Sequence, residues 1–470
     1  MSETTRSSWE CAVPIAAGLI WLISGAAESV VGFVLSAVPG SLLLAGGVSQ
    51  LWLPRDLRTL QMSALGAAVG VVTALPMLFV VGLSGALWLL VLAAASLISA
   101  GWASQSRQIP VGGVPQPSLD LMLAAKIGLD EAILVTVPVA RRGFGAFDTG
   151  RIADEVRAAH SLFQERGWIE KPRTFHAEPP ELASQRITWK ETRGLRFEHL
   201  SFESGYEPPV GAPGGERWQG YVPNRTAHAW VVRDGHEPRP WLVCLHGLGM
   251  GFPLLDFAVF DARRLHLELG HNLLFPVLPL HGPRRTGFRS GDGFVGGELI
   301  DTINAEAQAM WDIRRLLRWV RSEGAESVGV YGISLGGYAA ALLAGLDEYL
   351  ACVIAGLPSV DFLRGEGRLS PGEARRELER HDVEWSQVRE LMRVISPLAV
   401  ESLVPTERCF VYAGTVDRLV PADQPRDLWQ HWGEPQIAWY HGSHFSFWRE
   451  PGVRRIVDRA LREWRLGPMR

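Results

Sequence analysis

Ser334 stands in Gly332-Ile333-Ser334-Leu335-Gly336, a serine with a glycine two residues away on either side. An apolar run, 327–331, precedes it and an Ala-rich run, 338–345, follows it. A hydroxyl on a tight turn from strand to helix is placed to act as a nucleophile. The glycines leave no Cβ to obstruct the turn, and the helix points its N-terminal amides at the place where an oxyanion would form. Serine attacks only when a base takes its proton. Two later stretches offer that help. Residues 408–413 read as a buried strand leading to the carboxylate of Asp417, with Val420-Pro421 opening the next helix. Residues 436–440 read as a last strand, followed by His441-Gly442-Ser443-His444. Ser334, Asp417 and His444 in this order suit nucleophilic acyl transfer. His444 would take the serine proton and return it to the leaving group, while Asp417 holds the imidazole in one tautomer. Asp361, after the strand 351–355, is an alternative acid, and His441 an alternative base.

Acyl transfer also needs donors for the oxyanion. His246-Gly247-Leu248-Gly249 follows the strand 241–245, and such a loop supplies one amide while the residue after the nucleophile supplies the other. The backbone N–H groups of Leu248 and Leu335 are the expected pair. His246 itself reads as a loop residue. A zinc site built from His246, His271 and His281 fails on spacing and on the lack of acidic or Cys partners. No metal and no cofactor are therefore expected. The loop from Leu278 to Gly297 should rim the pocket, and its adjacent Arg284 and Arg285 could hold a phosphate or carboxylate by forked hydrogen bonds. The equal alternative is that they pair with nearby acids or face solvent.

These residues need a frame that brings strand ends together. Short apolar strands are predicted at 227–232, 241–245, 272–278, 327–331, 351–355, 408–413 and 436–440. Helices are predicted at 254–269, 298–323, 338–345, 371–394, 422–432 and 451–464. This alternation implies a mostly parallel sheet covered on both faces, with ligands at the C-terminal strand ends. Residues 187–202 alternate apolar and polar and predict antiparallel edge strands. Residues 361–394 interrupt the pattern and are expected to form a lid.

The first hundred residues differ in kind. Between Cys11 and Ala103 the charged residues are Glu28, Arg55, Asp56 and Arg58, with no Lys or His. Apolar segments at 11–35, 38–53, 63–82 and 85–103 predict about four transmembrane helices, with Glu28 about two turns inside the first and a turn near Pro39. The first is too long for a signal peptide, and none has the polar face a soluble helix needs. Arg6, Arg55, Arg58, Arg107, Lys126, Arg141 and Arg142 fall on one side of a four-span layout. The positive-inside rule then puts both termini in the cytoplasm. The domains expected are a membrane region at 1–103, a linker with helices and edge strands at 104–205, and a catalytic unit at 206–470.

Composition adds exclusions. The 470 residues carry a net charge of −4, so no basic excess suggests nucleic acid. The four cysteines, Cys11, Cys244, Cys352 and Cys409, have no metal or disulfide spacing.

Over residues 206–470 the chain resembles the α/β-hydrolase superfamily, in its serine esterase, lipase and peptidase-like branch. The matching stretches are His246-Gly247-Leu248-Gly249, Gly332 to Gly337, Gly414-Thr415-Val416-Asp417 and Gly442-Ser443-His444. The resemblance implies a doubly wound α/β fold and a serine hydrolase that cleaves a carboxylic ester through an acyl-enzyme. With the membrane region beside it, a hydrophobic or lipid ester is the substrate class expected, and the membrane the partner. A peptidase of the same fold and a catalytically inactive membrane scaffold are the alternatives. No propeller-like repeat in 104–205 favours the peptidase.

Overall fold

The computed structural model describes residues 3–54, 56–135, 148–234, 239–295, 298–364 and 372–463. The chain divides into two compact units. One comprises residues 1–144 with 414–422 and 439–450; the other comprises 145–413, 423–438 and 451–470. This division does not follow the boundaries at 103 and 205 drawn from composition.

The first unit begins with α1 (Glu3–Glu28), α2 (Val30–Trp52), α3 (Leu57–Ser106) and α4 (Leu121–Leu134). The first three are long and apolar enough to cross a membrane, where the sequence predicts about four segments. The difference lies at Gly82. At roughly 1.5 Å per residue, α3 would be more than twice the thickness of a bilayer core. Gly82 (φ 72°, ψ 177°) breaks it into two stretches close to the predicted third and fourth segments. The predicted break near Pro39 is absent, because Pro39 lies inside α2. The real break is Ser29, whose extended backbone and side chain, accepting from the Gly32 amide at 3.0 Å, start α2. Glu28 is thus the exposed last residue of α1 rather than a charge inside a span. Arg55, Arg141 and Arg142, part of the predicted charge pattern, lie outside the described residues.

Small residues let these helices touch. A Cβ on Gly18 would fall 2.7 Å from the Gly40 carbonyl oxygen, and one on Gly47 would fall 2.7 Å from Ile15 Cγ1. Outward-facing positions are apolar: Val30, Trp52, Leu75 and Phe79 are all exposed. α4, read as linker from the sequence, packs just as closely. A Cβ on Gly101 would lie 1.8 Å from the Ala124 oxygen, and one on Gly128 2.2 Å from the Leu97 oxygen.

The second unit is built on the sheet. Among the described residues nine strands run in the order β1-β2-β3-β5-β4-β6-β7-β8-β9. They are β1 (Arg186–Thr192), β2 (Leu195–Glu203), β3 (Thr226–Val232), β4 (Trp241–Leu245), β5 (Asn272–Pro276), β6 (Val328–Ile333), β7 (Cys352–Gly356), β8 (Cys409–Gly414) and β9 (Gln436–Tyr440). β1, β2 and β3 pair antiparallel, as does β3 with β5. β5, β4, β6, β7 and β8 pair parallel. β4, β6 and β7 are buried along their whole length, which explains unbroken apolar runs rather than alternation. The architecture is a mixed, mostly parallel α/β sheet of the α/β-hydrolase kind.

Two predicted helices are divided. The stretch 254–269 is a helix at Pro253–Val259 and a separate turn at Arg264–Glu268, parted at Asp261 (φ 52°). The stretch 371–394 contains two short helices, Glu373–Glu379 and Trp385–Met392. Val388, Leu391 and Met392 of the latter are buried in the same core as Ala153 and Val156 of the helix Thr149–Glu165. A swinging lid would have to tear these side chains out of the core; residues 365–371 lie outside the described set.

Candidate active site

β6 ends at Ile333 and the next helix begins at Leu335. Ser334 alone makes the turn. Its backbone is at φ 58°, ψ −115°, a region that costs a non-glycine residue about 1–3 kcal/mol. Its amide donates to the Gly356 oxygen of β7 at 2.9 Å, one of the contacts that hold it there. The flanking glycines are required by space. A Cβ on Gly332 would sit 1.9 Å from the Gly336 oxygen, and one on Gly336 would sit 1.8 Å from the Leu245 oxygen of β4. Leu335 opens the helix, so its N–H has no partner within it and lies at the positive end of the helix dipole.

Leu245 of β4 pairs with Gly332 of β6, which brings the loop after β4 beside the turn. A Cβ on Gly247 would be 3.6 Å from Ser334 Cβ. Leu248, half exposed, carries the other expected oxyanion donor. His246 is fixed in one tautomer: Nδ1 donates to the Gly247 oxygen at 2.9 Å, and Nε2 accepts from the Leu278 amide at 3.1 Å. Burial pushes its pKa down, so the neutral ring ties the loop after β4 to the one after β5. That is a structural part, as the sequence suggests.

Arg284 is a correction. The expectation of a pocket arginine fails because its side chain is fully buried. It lies 2.9 Å from Asp312 Oδ2 and donates to the Val277 oxygen at 2.9 Å and the Asn224 oxygen at 3.0 Å. Arg284 therefore clamps the loop after β5 to the long helix Leu299–Ser322. Arg285 is exposed and donates to the Gly282 oxygen at 3.2 Å.

The acid and base candidates belong to the other unit. Asp417 Oδ1 accepts from the amides of Leu419 and Val420 at 2.9 and 2.8 Å. Its Oδ2 accepts from His444 Nδ1–H at 2.7 Å. Both residues are buried. Burial alone would lower the His444 pKa, but the Asp417 carboxylate, its hydrogen bond and the Asp130 charge outweigh it and raise the value. An imidazole held this way keeps Nε2 unprotonated in the neutral form, which is what a general base needs. The loops are joined to each other as well: the Thr415 amide donates to the Tyr440 oxygen at 3.0 Å and the Val416 amide to the Gly442 oxygen at 3.3 Å. The rivals have other fates. His441 is exposed, and Asp361 accepts from the Leu363 amide at 2.9 Å and pairs with Arg364 at 3.3 Å.

One residue of this site escaped the sequence reading. Asp130 of α4 accepts from the Arg418 amide at 3.1 Å and from the His444 amide at 3.0 Å, both on Oδ2. The available signal was an acid pair, Asp130-Glu131, inside a helix whose other residues are apolar apart from Lys126. Among the described residues no group of three His, Cys, Asp or Glu could hold a metal ion.

No family model matches the chain. Among solved structures, an acetyl xylan esterase from Paenibacillus sp. R4 is similar with a TM-score of 0.44 at 16% identity, over 63% of this chain and 93% of that one. Acetyl xylan esterase 1 from Thermoanaerobacterium sp. JW/SL YS485 gives 0.41 at 17% identity, over 63% and 98%. The uncharacterized protein Rv2627c of Mycobacterium tuberculosis (strain ATCC 25618 / H37Rv) is 44% identical over 345 residues, 73% of this chain and 83% of that protein. The chain therefore belongs to the family of Rv2627c.

Proposed function

We propose that the protein is a membrane-anchored serine hydrolase that cleaves a carboxylic ester by way of an acyl-enzyme. Ser334 is the nucleophile, His444 the general base and then acid, and Asp417 the residue that orients the imidazole. The amides of Leu248 and Leu335 stabilise the tetrahedral oxyanion. Attack forms the Ser334 ester and expels the alcohol, which takes the proton from His444; water then repeats the sequence and releases the acid. The observation that carries this reading is the backbone of Ser334, a non-glycine residue held at φ 58°, ψ −115° between a buried strand and a helix. Strain of that kind is not needed for packing, and here it lifts a hydroxyl. The Asp417–His444 pair, two loops after consecutive strands, supports it.

Three long apolar helices beside such a unit favour a substrate that partitions into lipid, and a hydrophobic or lipid ester is the class proposed. The charge pattern favours a cytoplasmic site. The experiment is labelling of the full chain with a fluorophosphonate probe, alongside hydrolysis of short and long acyl esters. Wild type should label, Ser334→Ala should not, and Asp417→Asn should lose about 10⁴-fold in kcat through the wrong tautomer. Equal labelling of wild type and Ser334→Ala would defeat the assignment, and turnover of peptides but not esters would favour a peptidase.

A further inference from the structure

Asp130 poses a chemical question. It lies in α4, the helix that follows the apolar segments, and its carboxylate is fully buried. One oxygen, Oδ2, accepts from two amides: that of Arg418, next to Asp417, and that of His444 itself. The other oxygen, Oδ1, has no hydrogen-bond partner among the described residues. An asparagine carbonyl in the same place could accept from both amides. Spacing the two loops therefore does not call for a charge, and a buried carboxylate with an idle oxygen is costly unless the charge has a use.

We propose that Asp130 is a positioning residue for the acid/base pair, and that its charge tunes His444. The helix after the apolar segments is thereby part of the catalytic machinery as well as of the anchor. The proposal rests on reading Asp417 and His444 as acid and base.

The surroundings of Asp130 fit this role. The charged groups about it are Asp417, His444, Arg418, Glu131 and the Lys126–Glu450 pair. Arg418 is buried; its guanidinium donates to Gln105 Oε1 at 2.7 Å and lies 3.7 Å from Glu131 Oε1. Glu131 accepts from Ser104 Oγ at 2.5 Å and from Gln61 Nε2 at 3.0 Å, so α3 and α4 brace the same loop. Val416 packs on Leu123 and Ile127 of α4, and Lys126 pairs with Glu450 at 3.1 Å. The loop carrying the acid and the loop carrying the base are thus both moored to α4 by side chains of one helix face. Burial, with the Asp417 charge, pushes the Asp130 carboxyl up to about 7, while His444 and the two amides pull it down. When His444 becomes cationic, Asp130 is drawn into its ionised form and stabilises the imidazolium alongside Asp417.

The test uses the full chain in detergent. The His444 pKa is read from the pH dependence of deuterium exchange at its imidazole C2, resolved by mass spectrometry, and needs no turnover. In Asp130→Asn that pKa should fall by about half to one pH unit, and the acid limb of kcat/KM for an ester should move with it. Asp130→Ala, which also removes the acceptor, should cost a further ~10-fold in kcat with KM unchanged. An unchanged His444 pKa and acid limb in Asp130→Asn would overturn the proposal. Should that variant fail to fold, the wild-type exchange curve decides. Two inflections, one from Asp130 and one from His444, are expected, and a single simple titration would count against the idea. If wild type neither labels with fluorophosphonate nor turns over ester, the hydrolase reading fails by itself, and the His444 titration still reports on Asp130.

Discussion

At the scale of single residues, burial decides which charged side chains keep an ordinary chemistry. Glu306, within the helix Leu299–Ser322, is fully buried, and neither carboxylate oxygen has a hydrogen-bond partner among the described residues. Burial pushes its pKa up to about 8. The folded value therefore exceeds the unfolded one of about 4.3. The folded chain holds a proton that the unfolded chain releases, so the associated stability is complete below the unfolded value and is lost as pH rises to about 8. Glu306→Gln removes this dependence. The melting temperature of wild type should fall relative to the variant between pH 5 and pH 8, then run parallel to it; a constant gap across that range would refute the assignment. Arg284 and Arg285 teach the complementary lesson. They are neighbours of the same type in one loop, and nothing local separates a buried clamp on Asp312 from an exposed side chain. Ser334, Asp417 and His444 could be picked out as candidates because acyl transfer would need particular residue types at strand ends. The clamp made by Arg284 could not be read in this way, because its partner is supplied by a distant helix.

At the scale of elements, legibility followed the source of the signal. β4 and β9 have the limits that their apolar runs predict. The turn at Ser334 is also written locally, in glycines that leave no room for a side chain. Gly332→Ala would drive a Cβ to 1.9 Å from a backbone oxygen of the same turn. The variant should therefore lose probe labelling and melt several degrees lower, since a shift of the turn is the only relief; wild-type labelling would show that the turn is looser than described. Helix ends inside apolar stretches were less legible. Ser29 starts a helix where Glu28 and Ser29 briefly interrupt a long apolar run, and Pro39 leaves its helix intact. Proline marks a boundary where the lost hydrogen bond meets water, and a packed apolar helix can absorb the loss.

At the scale of the whole molecule, the compact units cut across the order of the chain. The loops 414–422 and 439–450 belong with the N-terminal helices, although Asp130 and His444 are 314 residues apart in sequence. Composition marks a boundary wherever polarity changes, and a buried carboxylate in an apolar helix leaves no periodic trace. The apolar helices make a separate prediction. Wild-type protein should stay in the membrane pellet through alkaline carbonate or high-salt washing and leave it only with detergent; release by carbonate would remove the case for spanning helices.

The carboxylate of α4 also bears on how the protein can be handled. A shortened version lacking residues 1–144, the natural choice for making the protein without its long apolar helices, would discard Asp130, Glu131 and Gln105 together. The amides of residues 418 and 444 and the Arg418 guanidinium would then have to find water, at about 1–3 kcal/mol for each group left unmet. Such a fragment would keep its serine turn but lose the mooring of the loop that carries His444, so silence in an assay would say nothing about the intact protein.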